Sequence, residues 1–137
     1  MRINIAYLKS FLDVVLDNDH PDFTIGHDDI RPLWEHDDHK LHMLIFHLEL
    51  LEDENLIESS THIPGIGFER VSNGQFTVTI KPLRLTAKGH QFASDLAKPG
   101  VIEQITDTFK NAGPGEVVNV VFALGRRVLE KKLDEIL

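Results

Sequence analysis

Between Ile63 and Leu85 the apolar pattern of this chain changes period, and that change restricts the possible folds more than any other feature. Phe76, Val78 and Ile80 alternate with Thr77, Thr79 and Lys81, the two-residue repeat of a strand, and Asn73-Gly74 is a two-residue turn signal just before them. Pro64, Gly65 and Gly67 break any helix drawn across the segment. On both sides the apolar residues recur every three to four positions instead, as on the buried face of a helix. A hairpin set between helices predicts an α+β fold that is mainly helical.

Ile3, Tyr7, Leu8, Phe11, Leu12, Val15 and Leu16 predict a first helix, stopped by Asp17-Asn18-Asp19-His20-Pro21. Phe23-Thr24-Ile25 follows as a short extended piece, and Asp28 or Asp29 is placed to cap a brief second helix through Ile30, Leu33 and Trp34, with Pro32 near its start. A third helix is expected from about His36-Asp37-Asp38 through Leu51, after which Leu56-Ile57 leaves helical spacing for a strand. Beyond the hairpin, Thr86 stands at a capping position for a helix from Ala87 to Leu96, which ends before Pro99-Gly100. A further helix is expected from Val101 to about Asn111, and a long one from Glu116 to Leu137 after the Gly113-Pro114-Gly115 break.

A length of 137 residues with 42% hydrophobic content suits one domain with its own core. The net charge of -8 is unevenly spread: residues 1 to 60 hold 4 Lys+Arg against 14 Asp+Glu and six of the eight histidines. That half repels nucleic acid at neutral pH. Cysteine is absent, which excludes disulfides, thiolate metal sites and a cysteine nucleophile, and fits a reducing compartment such as the cytoplasm. The N-terminal apolar run is broken by Asn4, Lys9 and Asp13, and the run from Val117 to Leu124 is too short to span a bilayer, so neither a signal peptide nor a membrane span is expected.

Three helices, a hairpin and more helix is the element order of a winged helix-turn-helix, with the third helix in the reading position and the hairpin as the wing. Residues 1–98 are then the winged-helix domain and residues 99–137 a C-terminal helical extension, packed on the same domain or forming a dimer seam. Two segments bear on this: His47-Leu48-Glu49-Leu50-Leu51 leading to Asn55-Leu56-Ile57, and Leu85-Thr86-Ala87-Lys88-Gly89-His90-Gln91-Phe92. They resemble the bacterial and prophage family called domain of unknown function 2513, which implies a winged helix and has no established activity. The chain departs from that family at Asn55, where glycine is usual, and at Ala87, where tryptophan is.

On the third helix Leu41, Leu44, Ile45, Leu48 and Leu51 form a core stripe, while Met43, Phe46 and Leu50 form a second on roughly the opposite side. A DNA reader is expected to offer Arg, Lys, Asn or Gln there. Lys40 is the only permanent cation on the helix. The second stripe must be covered, by the C-terminal helices of the chain or by another molecule. Arg70, Lys81, Arg84 and Lys88 cluster around the wing and are, with Lys40, the candidate phosphate contacts. The last helix carries Val118, Val121, Phe122, Val128, Leu129, Leu133 and Ile136 at near-heptad spacing, with Gly125 permitting a close approach. Met43, Phe46, Leu50, Val118, Phe122 and Leu129 are therefore the candidate partner-interface residues.

His36, His39 and His42 lie three apart near a helix start, but the His-Glu-x-x-His spacing is absent and no metal site is expected. His47 and His90 sit beside apolar residues and read as buried packing groups. No Gly-x-Ser-x-Gly elbow occurs, and Gly65-Ile66-Gly67 matches neither phosphate-loop pattern. The sequence thus predicts a recognition protein without catalysis, cofactor, small-molecule substrate or membrane partner. Its first reading is a winged-helix regulator linked to nucleic acid; the alternative is a protein-interaction or homodimerisation module that does not bind DNA.

Overall fold

The computed structural model describes all of residues 1–137, as five α-helices and two small antiparallel sheets. Helix α1 (Ile5–Leu16) begins at Asn4 rather than Ile3: the Asn4 backbone is extended and its Oδ1 accepts the Tyr7 amide at 3.0 Å. Ile5, Leu8, Phe11 and Leu12 give the helix its buried face.

The brief second helix is a correction. Only a single 3-10 turn forms, Arg31–Leu33, and neither Asp28 nor Asp29 caps it; the residue before it is Ile30, which makes no side-chain cap bond. Pro32 removes one amide from so short a turn, and Trp34 spends its indole N–H on the Ile25 carbonyl at 2.7 Å, tying the turn to the preceding extended piece.

Helix α2 (Asp38–Asp53) starts where Asp37 Oδ1 accepts the Lys40 amide at 3.1 Å. It ends at Asn55, whose φ of 60° places it in the left-handed region, while the Leu56 amide reaches back to the Leu51 carbonyl at 2.8 Å. Asparagine enters that conformation more readily than other residues with a side chain, so it can stand where glycine would otherwise close the helix. The chain then turns straight into strand β1 (Ile57–Ser59).

Strand β1 pairs with β4 (Leu83–Leu85), Ile57 opposite Leu85 and Ser59 opposite Leu83, and both strands alternate buried with less buried residues. Phe23 bridges to Leu83 on the other side of β4. Between β1 and β4 lies the hairpin β2 (Phe68–Arg70) and β3 (Phe76–Val78), with Arg70 opposite Phe76. Its turn is wider than the two residues expected. The Val71 amide bonds the Gln75 carbonyl and the Gly74 amide the Val71 carbonyl, closing a loop of Ser72, Asn73 and Gly74 in which Gly74 (φ 80°) alone takes the left-handed position. The alternation in β3 buries little: Phe76 is half-buried, and Val78 and Ile80 are exposed.

Thr86 caps α3 (Ala87–Leu96), its Oγ1 accepting the Gly89 amide at 3.0 Å. A Cβ at Gly89 would run into the Leu56 carbonyl oxygen, so only glycine lets α3 lie this close to the start of β1. Helices α4 (Val101–Thr108) and α5 (Pro114–Ile136) complete the chain; α5 packs on α3 and α4 rather than along α2. Leu8, Phe11, Leu44, Leu48, Leu83 and Phe92 meet in one core that also takes in Val117, Val118 and Val121 of α5.

Candidate interaction surface

The hairpin folds back on α2. The Phe76 ring stands edge-on to His42, with centroids 5.4 Å apart, and the Arg70 guanidinium lies 5.5 Å from the Phe76 ring centre. Arg70 also grips Glu49 with both ends of its fork, at 2.9 and 2.5 Å. Those hydrogen bonds, and then the Glu49 charge, push the Arg70 pKa up from its ordinary value.

The other cations near the hairpin are also engaged by oxygens of the chain. Arg84 reaches Glu58 Oε1 through Nε at 2.8 Å and Nη2 at 2.5 Å, across the β1–β4 ladder. Lys81 Nζ donates to the Ile63 and Pro64 carbonyls at 3.1 and 3.2 Å. Lys88 Nζ donates to the Glu54 carbonyl at 3.1 Å and stands 6.0 Å from the Phe122 ring centre. Lys40, exposed on the first turn of α2, is the one member of the five whose side chain makes no such bond.

Met43, Phe46 and Leu50 are half-buried. Phe46 borders a cleft of about 280 Å³ with Ile3, Ala112 and Pro114, so the N-terminal segment and the link before α5 cover it in part. An adjoining cleft of about 420 Å³ has a floor of Ile5, Ile105, Phe109 and Val117 flanked by Arg2 and Lys110, and neither cleft is lined by a carboxylate or an imidazole.

His47 is buried, as expected, and its bonds define its tautomer. Nε2 accepts the Asn4 amide at 2.9 Å, so Nδ1 carries the proton and donates to the Met43 carbonyl at 2.7 Å. Burial lowers its pKa, and the Met43 bond opposes that only in part. The imidazole thereby links α2 to the cap of α1. Tyr7 lies against the same ring, its hydroxyl pushed up to about 12 by burial. The sequence reading errs on His90, which is exposed because it lies on the solvent side of α3. The three histidines near the start of α2 are not gathered into a site: His36 precedes the helix in left-handed backbone (φ 63°) and His42 is held against Phe76, and no cluster of three or more His, Asp or Glu converges there.

On α5, Val118 is buried, Phe122 is half-buried edge-on to Phe92, and Leu129 is 50% exposed. What the sequence reading missed is the partner of Gly125. A Cβ there would collide with the Asp95 side chain, a buried carboxylate held by Lys98 Nζ at 2.7 Å and Gln91 Nε2 at 3.0 Å; Lys98 also donates to the Gly125 carbonyl at 3.3 Å. The i, i+3 and i, i+4 spacings around Asp95 were legible, but a long-range contact across two helices leaves no mark on either one alone.

No helix of the chain is long and apolar enough to cross a membrane. No family model, no curated protein and no solved structure matches this chain.

Proposed function

We propose that this protein is a non-catalytic recognition module of winged-helix topology that works through protein contacts rather than by reading DNA. The topology is supported by strand order. Phe23 and β1 flank β4, so the first and second extended segments lie on either side of the third, with α2 ahead of β1 and the β2–β3 hairpin in the position of a wing.

The observation that carries the second half of the reading is the fate of the wing cations. Arg70 and Arg84 each sit against a carboxylate, and Lys81 and Lys88 against carbonyl oxygens. Exposed ion pairs are weak, so a phosphate could displace one. The displaced Glu49 or Glu58 would then stand beside the phosphate, and the gain from counterion release would be largely cancelled. An acidic α2 carrying Glu49, Glu52 and Asp53 adds to the repulsion.

Titration against random-sequence duplex DNA at low and moderate salt tests this. The expected result is no binding at either. Binding that weakens steeply with salt and disappears on charge reversal at Lys81 and Lys88 would replace this reading with the nucleic-acid-linked regulator, which the strand order and the free Lys40 favour.

A further inference from the structure

Two clefts meet where the N-terminal segment crosses the link between α4 and α5. The larger, about 420 Å³, lies where the first turn of α1, the end of α4 and the start of α5 converge. Ile5, Ile105 and Val117 are its buried floor, and the half-buried Ile3 and Phe109 are the walls that still meet water. The smaller, about 280 Å³, is bounded by Phe46, Ala112 and Pro114. Arg2, Ile3 and Lys110 line both, so the two cations stand at the junction. The larger cleft has the size of a small-molecule site.

Charge sets this place apart. The chain carries 22 Asp+Glu against 14 Lys+Arg, and three further hollows of 200 to 300 Å³ each include a carboxylate, from Glu52 and Glu58, from Asp95 and from Asp22. The two clefts at Arg2 and Lys110 include none. Even Asp107 and Glu116, the carboxylates nearest to Lys110 along the chain, line neither.

The cations at the junction also keep their capacity. Arg70 and Arg84 are closed on carboxylates, whereas Arg2 gives one N–H, from Nη1, to the neutral Asn111 Oδ1 at 3.1 Å. That bond holds the guanidinium across the link and leaves the rest of its five donors for another acceptor. Lys110 is exposed beside it.

An apolar recess with two cations and no acid at its mouth complements an anion with an apolar tail. The tail leaves water against Ile3, Phe109 and the aliphatic stems of Arg2 and Lys110, while a carboxylate head matches the fork of Arg2. A bare inorganic anion would leave the apolar walls unused, and a neutral lipid the cations. A bilayer is flat, the walls are recessed, and the net charge of -8 repels an anionic membrane, so a free molecule is the better occupant. At about 30 Å³ per methylene, close to the share of a water molecule, a ten-carbon chain fits within the larger cleft.

We propose that this junction binds a free single-chain carboxylate of medium length, such as decanoate, with its head held by Arg2 and Lys110 and its tail along Ile3, Ile5 and Phe109. The site lies away from the hairpin and goes beyond the protein-contact reading, on which it does not depend.

Isothermal titration calorimetry of the full chain with decanoate, below its micellar range, tests this. Saturable one-to-one binding is expected, weaker by about fourfold for each methylene removed on going to nonanoate and octanoate. Decyltrimethylammonium, with the same tail and a cationic head, is expected to bind at least about tenfold more weakly. Arg2→Glu and Lys110→Glu, both at exposed positions, are each expected to weaken decanoate by about tenfold or more. Ala6→Trp, at an exposed position lining the larger cleft, is expected to abolish binding by filling it while leaving the circular dichroism melt unchanged. No saturable binding, equal binding of the cationic amphiphile, or binding indifferent to Arg2→Glu and Lys110→Glu overturns the proposal. Binding to phosphatidylglycerol vesicles without binding to free decanoate overturns it as well, and assigns the two cations to a membrane surface. DNA binding by the chain defeats the protein-contact reading and leaves this site standing, whereas failure to bind decanoate defeats this site alone.

Discussion

Replacing His47 with leucine isolates the bond that ties α2 to the cap of α1. His47 is 1% exposed, and its Nε2 is the acceptor for the Asn4 amide at 2.9 Å. Leucine is of similar size but leaves that amide without a partner in a part-buried site, at a cost of about 1–3 kcal/mol. The Met43 carbonyl loses the imidazole but keeps its helical bond. The extra apolar burial offsets a fraction, so a net loss of about 1–2 kcal/mol at pH 7.5 is expected. For a chain of this size that lowers Tm by roughly 3–8 °C.

The pH dependence of that loss makes the test sharper. Burial lowers the His47 pKa below 6.5, so the unfolded chain takes up a proton that the folded one refuses. Its contribution to stability is therefore complete above pH 6.5 and is lost as pH falls from there through the folded pKa, by up to about 1.4 kcal/mol per pH unit. Leucine has no proton to accept. The gap between the two proteins, measured by urea unfolding from pH 7.5 to 5, is expected to narrow as pH falls, and taking the difference cancels the titrations they share. A gap that stays constant, or a variant as stable as the parent at pH 7.5, refutes the role assigned to this imidazole.

Gly89→Ala is expected to destabilise by about 1–3 kcal/mol in urea unfolding, because the new Cβ meets the Leu56 carbonyl and the strain outweighs the roughly 1 kcal/mol gained in helix propensity. Leu83→Ala, at a fully buried site where β4 meets both Phe23 and β1, is expected to cost about 2–5 kcal/mol by the same measurement.

Local rules carried far along this chain. Asp37 and Thr86 are caps because their short side-chain oxygens reach an amide three residues on, a distance set by helix geometry alone. The brief second helix failed because its caps were chosen from residue type, while the turn answers to Pro32 and to the long-range grip of Trp34 on Ile25. The hairpin turn failed by one residue because Asn73-Gly74 is compatible with two loop geometries, and strand pairing selects between them.

The candidate surfaces were legible only in part. Residue types marked Arg70, Lys81, Arg84 and Lys88 as cations near the wing, and periodicity marked Phe122 and Leu129 as one face of the last helix. Whether a cation is free for phosphate depends on acceptors up to 34 residues away, as for Lys88 and Glu54. Whether an apolar face is core or surface depends on where the helix leaves the domain.

By itself the sequence determined the five α-helices, the hairpin and their order, and the cap at Thr86, because these follow from spacing and short-range hydrogen bonding. Only the tertiary structure decided that the cations near the hairpin are spent on the chain's own oxygens, that Gly125 faces Asp95, and that α5 outruns its support after Gly125. Each of these is a contact between segments distant in the chain, and such contacts are set by packing the whole core at once.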